Sequence, residues 1–289
     1  MSATLRGSLW MLASVFSFSG VGVGVRALSD EGMSSVEIVF FRVFFGILIL
    51  IPWLFRVGVR GLKTNKANLH LLRSFLMGVG MVFWFAAIAR LPLADAIALH
   101  FTLPLFLVVF AWLLLGEKVI IARLVATVVG FTGVLVIMRP GLNEFSIATL
   151  FVLISAALYA GNHTISRSFA NTEGPEATTF FMNAMILVPI GICSVFWWTT
   201  PTLTDCVWIV VVGIFGTTSH IFLMRAYQFA EASALAPVDF MRLVFSGLAG
   251  YIIFGQVSDF WTWVGATIIF LAAWYNTWSA NQKNNGKSF

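Results

Sequence analysis

The sequence predicts an all-α integral membrane protein whose ten transmembrane helices form two inverted five-helix repeats around a central cavity. The first observation is composition. Of 289 residues, 60% are hydrophobic and only 10% are charged, and the mean hydropathy is +0.94. Soluble domains carry about 25% charged residues, so this chain cannot build a water-facing surface from its own charges. The second observation is an internal duplication that divides the chain near residue 140.

Ten apolar intervals follow one another along the chain. Six of them contain no Asp, Glu, Lys or Arg, namely residues 7–25, 96–116, 145–166, 177–204, 206–224 and 260–282. Four weaker intervals lie among these, at residues 34–56, 70–89, 119–138 and 233–254. Each is close to or above the roughly 20 residues that cross the hydrocarbon core of a bilayer as an α-helix. Little of the chain is left for a soluble domain.

The duplication is clearest in residues 83–117 and 221–256. In both, an apolar helix ends in a polar break, and a second apolar run opens with small residues and stops at Gly-Glu or Gly-Gln. Further positions match at offsets of about 140: Ala94 with Ala232, Gly116 with Gly255, Gly20 with Gly161, and Phe40 with Phe180. Since five helices are an odd number, the second half enters the membrane from the opposite side. The predicted repeats are residues 1–140 and 141–289.

The basic residues predict the orientation. With a cytoplasmic N-terminus, the inner side receives twelve: Arg6, Arg56, Arg60, Lys63, Lys66, Arg73, Lys118, Arg123, Arg167, Arg225, Lys283 and Lys287. The outer side receives only Arg26, Arg90 and Arg139. This asymmetry follows the positive-inside rule, so both termini are expected to be cytoplasmic, in a multi-pass protein of the inner membrane. The net charge of +5 is therefore a topology signal and indicates no nucleic-acid partner.

Inverted repeats favour transport by alternating access, because the halves can exchange conformations around a site at the membrane midplane. Duplication is also simply a route to a larger helical bundle. The partners expected are a small-molecule substrate, the lipid bilayer, and a coupling proton or counter-substrate, with the chain acting as a monomer or homodimer. Two cysteines in or beside apolar spans suggest neither a disulfide framework nor a metal site, and no cofactor is expected.

Two segments resemble the EamA family of the drug/metabolite transporter superfamily. Residues 91–106 and 113–118 (LPLADAIALHFTLPLF and LLLGEK) resemble its fourth helix, and residues 226–256 resemble the matching part of its second half. Phe40-Phe41-Arg42 resembles its second helix. The resemblance implies a cavity lined mainly by helices 1, 3, 4, 6, 8 and 9, and carriage, often export, of small metabolites. Gln256 departs from the pattern, since the first half and often the family have Glu there, so no proton-coupling role is assigned to it.

Polar side chains inside predicted spans are the candidate substrate-binding residues, because such groups are costly in a bilayer and usually functional. His100 precedes Pro104 by four residues, and the proline bends that helix. His100 contacts substrate or handles a proton, or it is a buried histidine satisfied by a backbone carbonyl. Asn162-His163 and His220 are further candidates, each also open to a packing role. The resemblance adds Trp84, because helix 3 lines the cavity in the family.

Two arginines remain at membrane depth. Arg242 lies three residues after Asp239, on the same helix face, so the two can form a pair. That pair either neutralises itself and ties helix 9 to its neighbours, or presents Arg242 to a substrate carboxylate or phosphate. Pro237 bends the same helix. Arg42 is expected to be structural or coupling, because the resemblance places helix 2 toward the periphery.

The sequence thus predicts a secondary transporter that moves a small organic metabolite across the inner membrane by alternating access. The substrate expected is anionic or zwitterionic, such as an amino acid, organic acid or cofactor-like molecule. An exporter of amphipathic or aromatic metabolites or drugs is the alternative. A polytopic enzyme or a channel is remote. The chain has no Gly-x-Ser-x-Gly, His-Glu-x-x-His or P-loop motif, and a channel builds its ring of charges or carbonyls from symmetric subunits.

Overall fold

The computed structural model describes residues 3–58, 62, 64–115, 121–139, 146–166, 173–229, 235 and 238–284, and it contains no strand within them. Its helices are α1 (Ala3–Asp30), α2 (Ser35–Val57), α3 (Ala67–Ile88), α4 (Leu93–His100), α5 (Leu103–Leu115), α6 (Ile121–Met138), α7 (Ile147–Ser166), α8 (Pro175–Ser194), α9 (Leu203–Phe229), α10 (Met241–Phe254) and α11 (Phe260–Asn284). A short 3₁₀ turn, Val195–Trp197, follows α8.

Six of these helices are long and apolar enough to cross a membrane. They lie at Leu5–Asp30, Ser35–Val57, Ala67–Ile88, Ile147–Ser166, Pro175–Trp197 and Leu203–Ala226. Shorter apolar helical segments lie at Leu93–Leu107 (α4 and the start of α5), Val128–Met138, Met241–Phe254 and Phe260–Ala272. The prediction of an all-α, multi-pass membrane protein is confirmed. The predicted division at residue 140 lies outside the described residues.

The fourth predicted span differs from a single helix. It is broken at Phe101 and Thr102, between the end of α4 and the start of α5. Pro104 explains the break, because its ring excludes the carbonyl four residues earlier, which belongs to His100, and it has no N–H to donate. After the break, the Leu105 N–H bonds to the Thr102 carbonyl three residues back at 2.9 Å, and Phe106 resumes the regular α-helical pattern at 3.2 Å. His100 is therefore the last residue of α4 and is buried inside the bundle.

Four helix pairs make most of the packing contacts: α1 with α9, α3 with α7, α2 with α8, and α6 with α11. Small residues allow the closest approach of α1 and α9. A methyl group added to Gly24 would lie 2.5 Å from Val212 Cγ2. On the same seam, the Ser14 hydroxyl donates to the Ser219 carbonyl at 2.9 Å. Buried residues of α1, α2, α3, α4, α6, α7, α8, α9, α10 and α11 contribute to one apolar core.

Polar contacts tie the bundle together at both ends. At one end, the Leu93 N–H at the start of α4 donates to Gln256 Oε1 at 3.0 Å, which joins α4 to the segment after α10. At the other end, Glu173 lies 2.7 Å from His70 Nε2 and accepts the Thr64 hydroxyl at 2.6 Å. These contacts join α3 to the segment before α8. The candidate site lies in the bundle between these two ends.

Candidate functional site

Three rings from three helices meet around His100. The centre of the Trp84 ring on α3 lies 4.5 Å from the centre of the His100 ring. The centre of the Tyr159 ring on α7 lies 5.3 Å from the same point. His100 is only 7% exposed, and its Nε2 has no hydrogen-bond partner among the described residues. Tyr159 was not among the predicted site residues. Its spacing of three and four residues from Asn162 and His163 places it on their helix face and could have revealed it.

Asn162 and His163 lie on the same turn of α7. Asn162 is 5% exposed, and its Nδ2 donates to Met77 Sδ on α3 at 3.6 Å. Its Oδ1 has no partner among the described residues. His163 is within electrostatic range of both His100 and His220. The Asn162–Met77 contact joins α7 to α3, and the electrostatic interactions of His163 reach His100 on α4 and His220 on α9.

Arg242 approaches the cluster from α10. Its Nη2 binds Asp239 Oδ1 at 2.6 Å, and its guanidinium lies 4.7 Å from the centre of the Phe18 ring on α1. The Phe18 ring in turn meets His220 on α9 edge-on, at 5.4 Å. The Nε atom of Arg242 is buried without a partner among the described residues. Sequence reasoning missed Phe18, because nothing distinguishes it from the other phenylalanines of an apolar helix.

Arg42 is the most buried of the charged candidates, at 4% exposure. It donates to Asn183 Oδ1 on α8 at 3.3 Å and to the Gly216 carbonyl on α9 at 3.2 Å. It is also within electrostatic range of Tyr159 and His220. The family resemblance placed helix 2 toward the periphery, with Arg42 in a structural or coupling role. The structure instead buries it between α2, α8 and α9, next to the cluster.

The structure thus brings all seven predicted substrate-binding residues into one region, which we call the central cluster. It comprises the predicted residues Trp84, His100, Asn162, His163, His220, Asp239 and Arg242, together with Phe18 and Tyr159. Pro104 lies beside it at the helix break. Pro237 lies outside the described residues. A surface cavity of about 350 Å³ lies elsewhere, on the first turns of α1 at Arg6, Leu9, Trp10 and Ala13.

The central cluster can bind a polar group. Buried donors and acceptors are almost always hydrogen-bonded, so an unpartnered one indicates a water or a ligand. His100 Nε2, Asn162 Oδ1 and Arg242 Nε are such atoms, and they offer an imidazole nitrogen, an acceptor and a cationic donor. The described residues contain no group of three His, Cys, Asp or Glu side chains arranged to hold a metal ion.

Comparison with known proteins identifies the class. The model of the EamA-like transporter family matches this chain twice, over residues 5–139 and 146–278. The chain therefore belongs to the EamA-like transporter family.

Relatives agree with this membership over nearly their whole length. The chain is 31% identical over 286 residues to the S-adenosylmethionine uptake transporter of Rickettsia prowazekii, covering 98% of this chain and 96% of that protein. It is 32% identical over 275 residues to the riboflavin transporter of Rhizobium johnstonii, covering 94% and 91%. It is 28% identical over 268 residues to the pseudopaline exporter of Pseudomonas aeruginosa, covering 92% and 94%. The protein is a transporter of small metabolites.

One solved crystal structure has the same fold. It superposes on 97% of this chain and 98% of its own with a TM-score of 0.63, at 18% sequence identity. At that identity the likeness concerns the fold alone.

Proposed function

We propose that this protein is a secondary transporter that moves an anionic or zwitterionic organic metabolite across the inner membrane by alternating access. The observation that carries the proposal is Arg242. Its guanidinium keeps one buried donor unpartnered while Asp239 and Phe18 hold it beside the central cluster. A planar guanidinium in a region of low dielectric suits a carboxylate or phosphate, which it can bind through two donors.

The pattern of helix packing supports two inverted repeats, residues 1–140 and 141–289. Under that assignment α1 corresponds to α7, α3 to α9, and α2 to α8. The contact of α1 with α9 then has its mate in the contact of α7 with α3, and both are among the largest in the bundle. The α2–α8 and α6–α11 contacts map onto themselves. A two-fold axis in the membrane plane relates the helix pairs of the two halves in this way.

The basic residues support cytoplasmic termini. Exposed Arg6 and Arg56 lie at the proposed inner end, whereas Arg26 and Arg139 lie at the proposed outer end. Single cysteines can test this in a Cys193→Ser/Cys206→Ser background, since both natural cysteines are exposed. An impermeant thiol reagent added to intact cells should label cysteines placed in 28–35 and 199–204 and spare those in 60–66 and 283–287. The opposite labelling pattern would reverse the proposed orientation.

The substrates named for the relatives contain two kinds of chemical group, a carboxylate and a flat heterocycle. S-adenosylmethionine contains an amino-acid carboxylate that suits Arg242, and both it and riboflavin contain a flat heterocycle. The rings of Trp84, His100 and Tyr159 favour a second candidate, an exporter of aromatic or amphipathic metabolites. A thermal-shift screen with both kinds of metabolite separates the two, because a ligand that binds only the folded state raises its apparent stability.

Counterflow in proteoliposomes tests the proposal. A carrier accelerates uptake of labelled metabolite when unlabelled metabolite is present on the far side. Arg242→Ala should reduce that uptake by about 10- to 100-fold, because a hydrogen bond to a charged group is lost. Arg242→Lys should retain part of it, since lysine keeps the charge but not the two-donor geometry.

Arg56→Ala is the matched control, because Arg56 is exposed at the end of α2 and should leave uptake unchanged. Full uptake by a folded Arg242→Ala variant would contradict the proposal. The same vesicles can distinguish transport driven by a proton gradient from exchange against a counter-substrate. Cross-linking can distinguish a monomer from a homodimer.

A further inference from the structure

Arg42 carries a buried charge that no described carboxylate balances. Its hydrogen-bond acceptors are an amide oxygen of Asn183 and the backbone carbonyl of Gly216, both neutral. No described Asp or Glu forms a salt bridge with it. Glu37 lies earlier on α2, but its carboxylate accepts the Thr199 N–H beyond α8. An arginine keeps its proton in proteins, so the charge stays.

The central region consequently holds more positive than negative charge. Arg242 is matched by Asp239, and Arg42 is matched by nothing among the described residues. Packing alone does not call for such a group, since an uncompensated charge inside a membrane protein is expensive and usually functional. Two neutral hydrogen bonds between helices could be made by an uncharged side chain.

We propose that Arg42 sets the charge selectivity of the central cluster: its field attracts a negatively charged substrate group that it does not itself contact. Arg42 binds the Gly216 carbonyl on α9, and His220 of the central cluster lies one turn further along the same helix. Arg242 then makes the direct contact. Arg42 is a positioning and selectivity residue, and this role rests on the proposed function of the cluster.

Coulomb's law sets the expected size of the effect. Two unit charges roughly 10 Å apart, at an effective dielectric constant of about 20, interact strongly enough to change an equilibrium on the order of tenfold. Salt screens such a buried pair much less than it screens a pair of surface charges. The effect should therefore persist at physiological ionic strength.

Asn183→Asp is the decisive variant. It places a carboxylate of nearly the same size on the atom that already accepts from Arg42 at 3.3 Å, and so balances the charge without emptying the site. If Arg42 only ties α2 to α8, the variant strengthens that tie and changes nothing else. If Arg42 supplies a field, the variant removes most of it. Asn68→Asp, at an exposed position on α3, is the matched control.

The field can be measured without knowing the substrate. In the full-length Cys193→Ser/Cys206→Ser protein, His220→Cys provides a thiol in the central cluster. Its reaction rates are compared for two methanethiosulfonates of similar size, the anionic 2-sulfonatoethyl and the cationic 2-trimethylammonioethyl reagents. We expect Asn183→Asp to lower the anionic-to-cationic rate ratio by about tenfold or more. Asn68→Asp should leave the ratio unchanged.

An unchanged ratio in Asn183→Asp would overturn the inference, and so would a thiol that reacts with neither reagent. Arg42→Gln should lower the ratio in the same direction. Because Asn183→Asp retains the acceptor oxygen that Arg42 binds, the test does not depend on whether Arg42→Gln folds. The measurement needs no transport, so the proposed function can fail in counterflow while this result stands, and the reverse also holds.

Discussion

The two arginines at membrane depth, Arg42 and Arg242, show two ways of keeping a cation inside a helical bundle. Arg242 is bound by the carboxylate of Asp239, three residues earlier and just before α10 begins, and its side chain is 17% exposed. Arg42 is 4% exposed and reaches only neutral oxygens on two other helices. The first arrangement is local and adjustable, whereas the second depends on α2, α8 and α9 keeping their positions.

This difference indicates that Arg242 is placed to contact a substrate, whereas Arg42 is held rigidly between helices. A pair only three residues apart in the chain can open without moving helices relative to one another, so Arg242 is free to exchange Asp239 for a substrate group. Arg42 cannot move without leaving buried acceptors unsatisfied on two helices, which costs more than a hydrogen bond gains. A methyl group added to Gly216 would lie 2.9 Å from Arg42 Nε, so the side chain is also confined sterically.

The largest expected effect on stability therefore comes from Arg42→Ala. It leaves the Gly216 carbonyl and Asn183 Oδ1 without their donor and opens a void between three helices. We expect a loss of about 2–4 kcal/mol in unfolding free energy, against less than about 1 kcal/mol for Arg242→Ala. Denaturation of both purified variants in the same detergent measures the difference. Equal losses would mean that the two arginines have the same structural weight.

The sequence predicted the fold class and most of the central cluster, for a physical reason. Apolar length and the cost of buried polar groups act locally, so they are visible in one chain without its partners. His100 and His163 were singled out in this way, whereas Trp84 came from the family resemblance. The pairing of Asp239 with Arg242 was found from helical spacing, and the structure has that contact at 2.6 Å.

What the sequence did not reveal depends on contacts between helices. Tyr159 and Phe18 belong to the cluster only because α7 and α1 turn those faces toward His100 and Arg242. The burial of Arg42 likewise follows from the approach of α8 and α9, which no spacing within α2 encodes. The break before Pro104 was foreseen only as a bend, because its extent depends on which carbonyls find other donors.

The smallest expected effect distinguishes the two roles of the Asp239–Arg242 pair. In Asp239→Asn the guanidinium keeps its charge and its place over the Phe18 ring, and loses only its carboxylate partner. A partly exposed pair contributes less than about 1 kcal/mol, so unfolding should be nearly unchanged and uptake should fall by about threefold. Counterflow beside Arg242→Ala measures this, and the fall should be clearly smaller than in that variant.

The double variant Asp239→Asn/Arg242→Ala completes the comparison. If Arg242 binds substrate, the double variant transports no better than Arg242→Ala, because the cation is missing in both. If the pair is structural, Arg242→Ala alone destabilises the protein by leaving Asp239 charged and unpaired, and removing that charge restores both stability and uptake. That second outcome would mean that neither Arg42 nor Arg242 contacts the substrate directly. The proposal of a carboxylate- or phosphate-bearing substrate would then lose its main support.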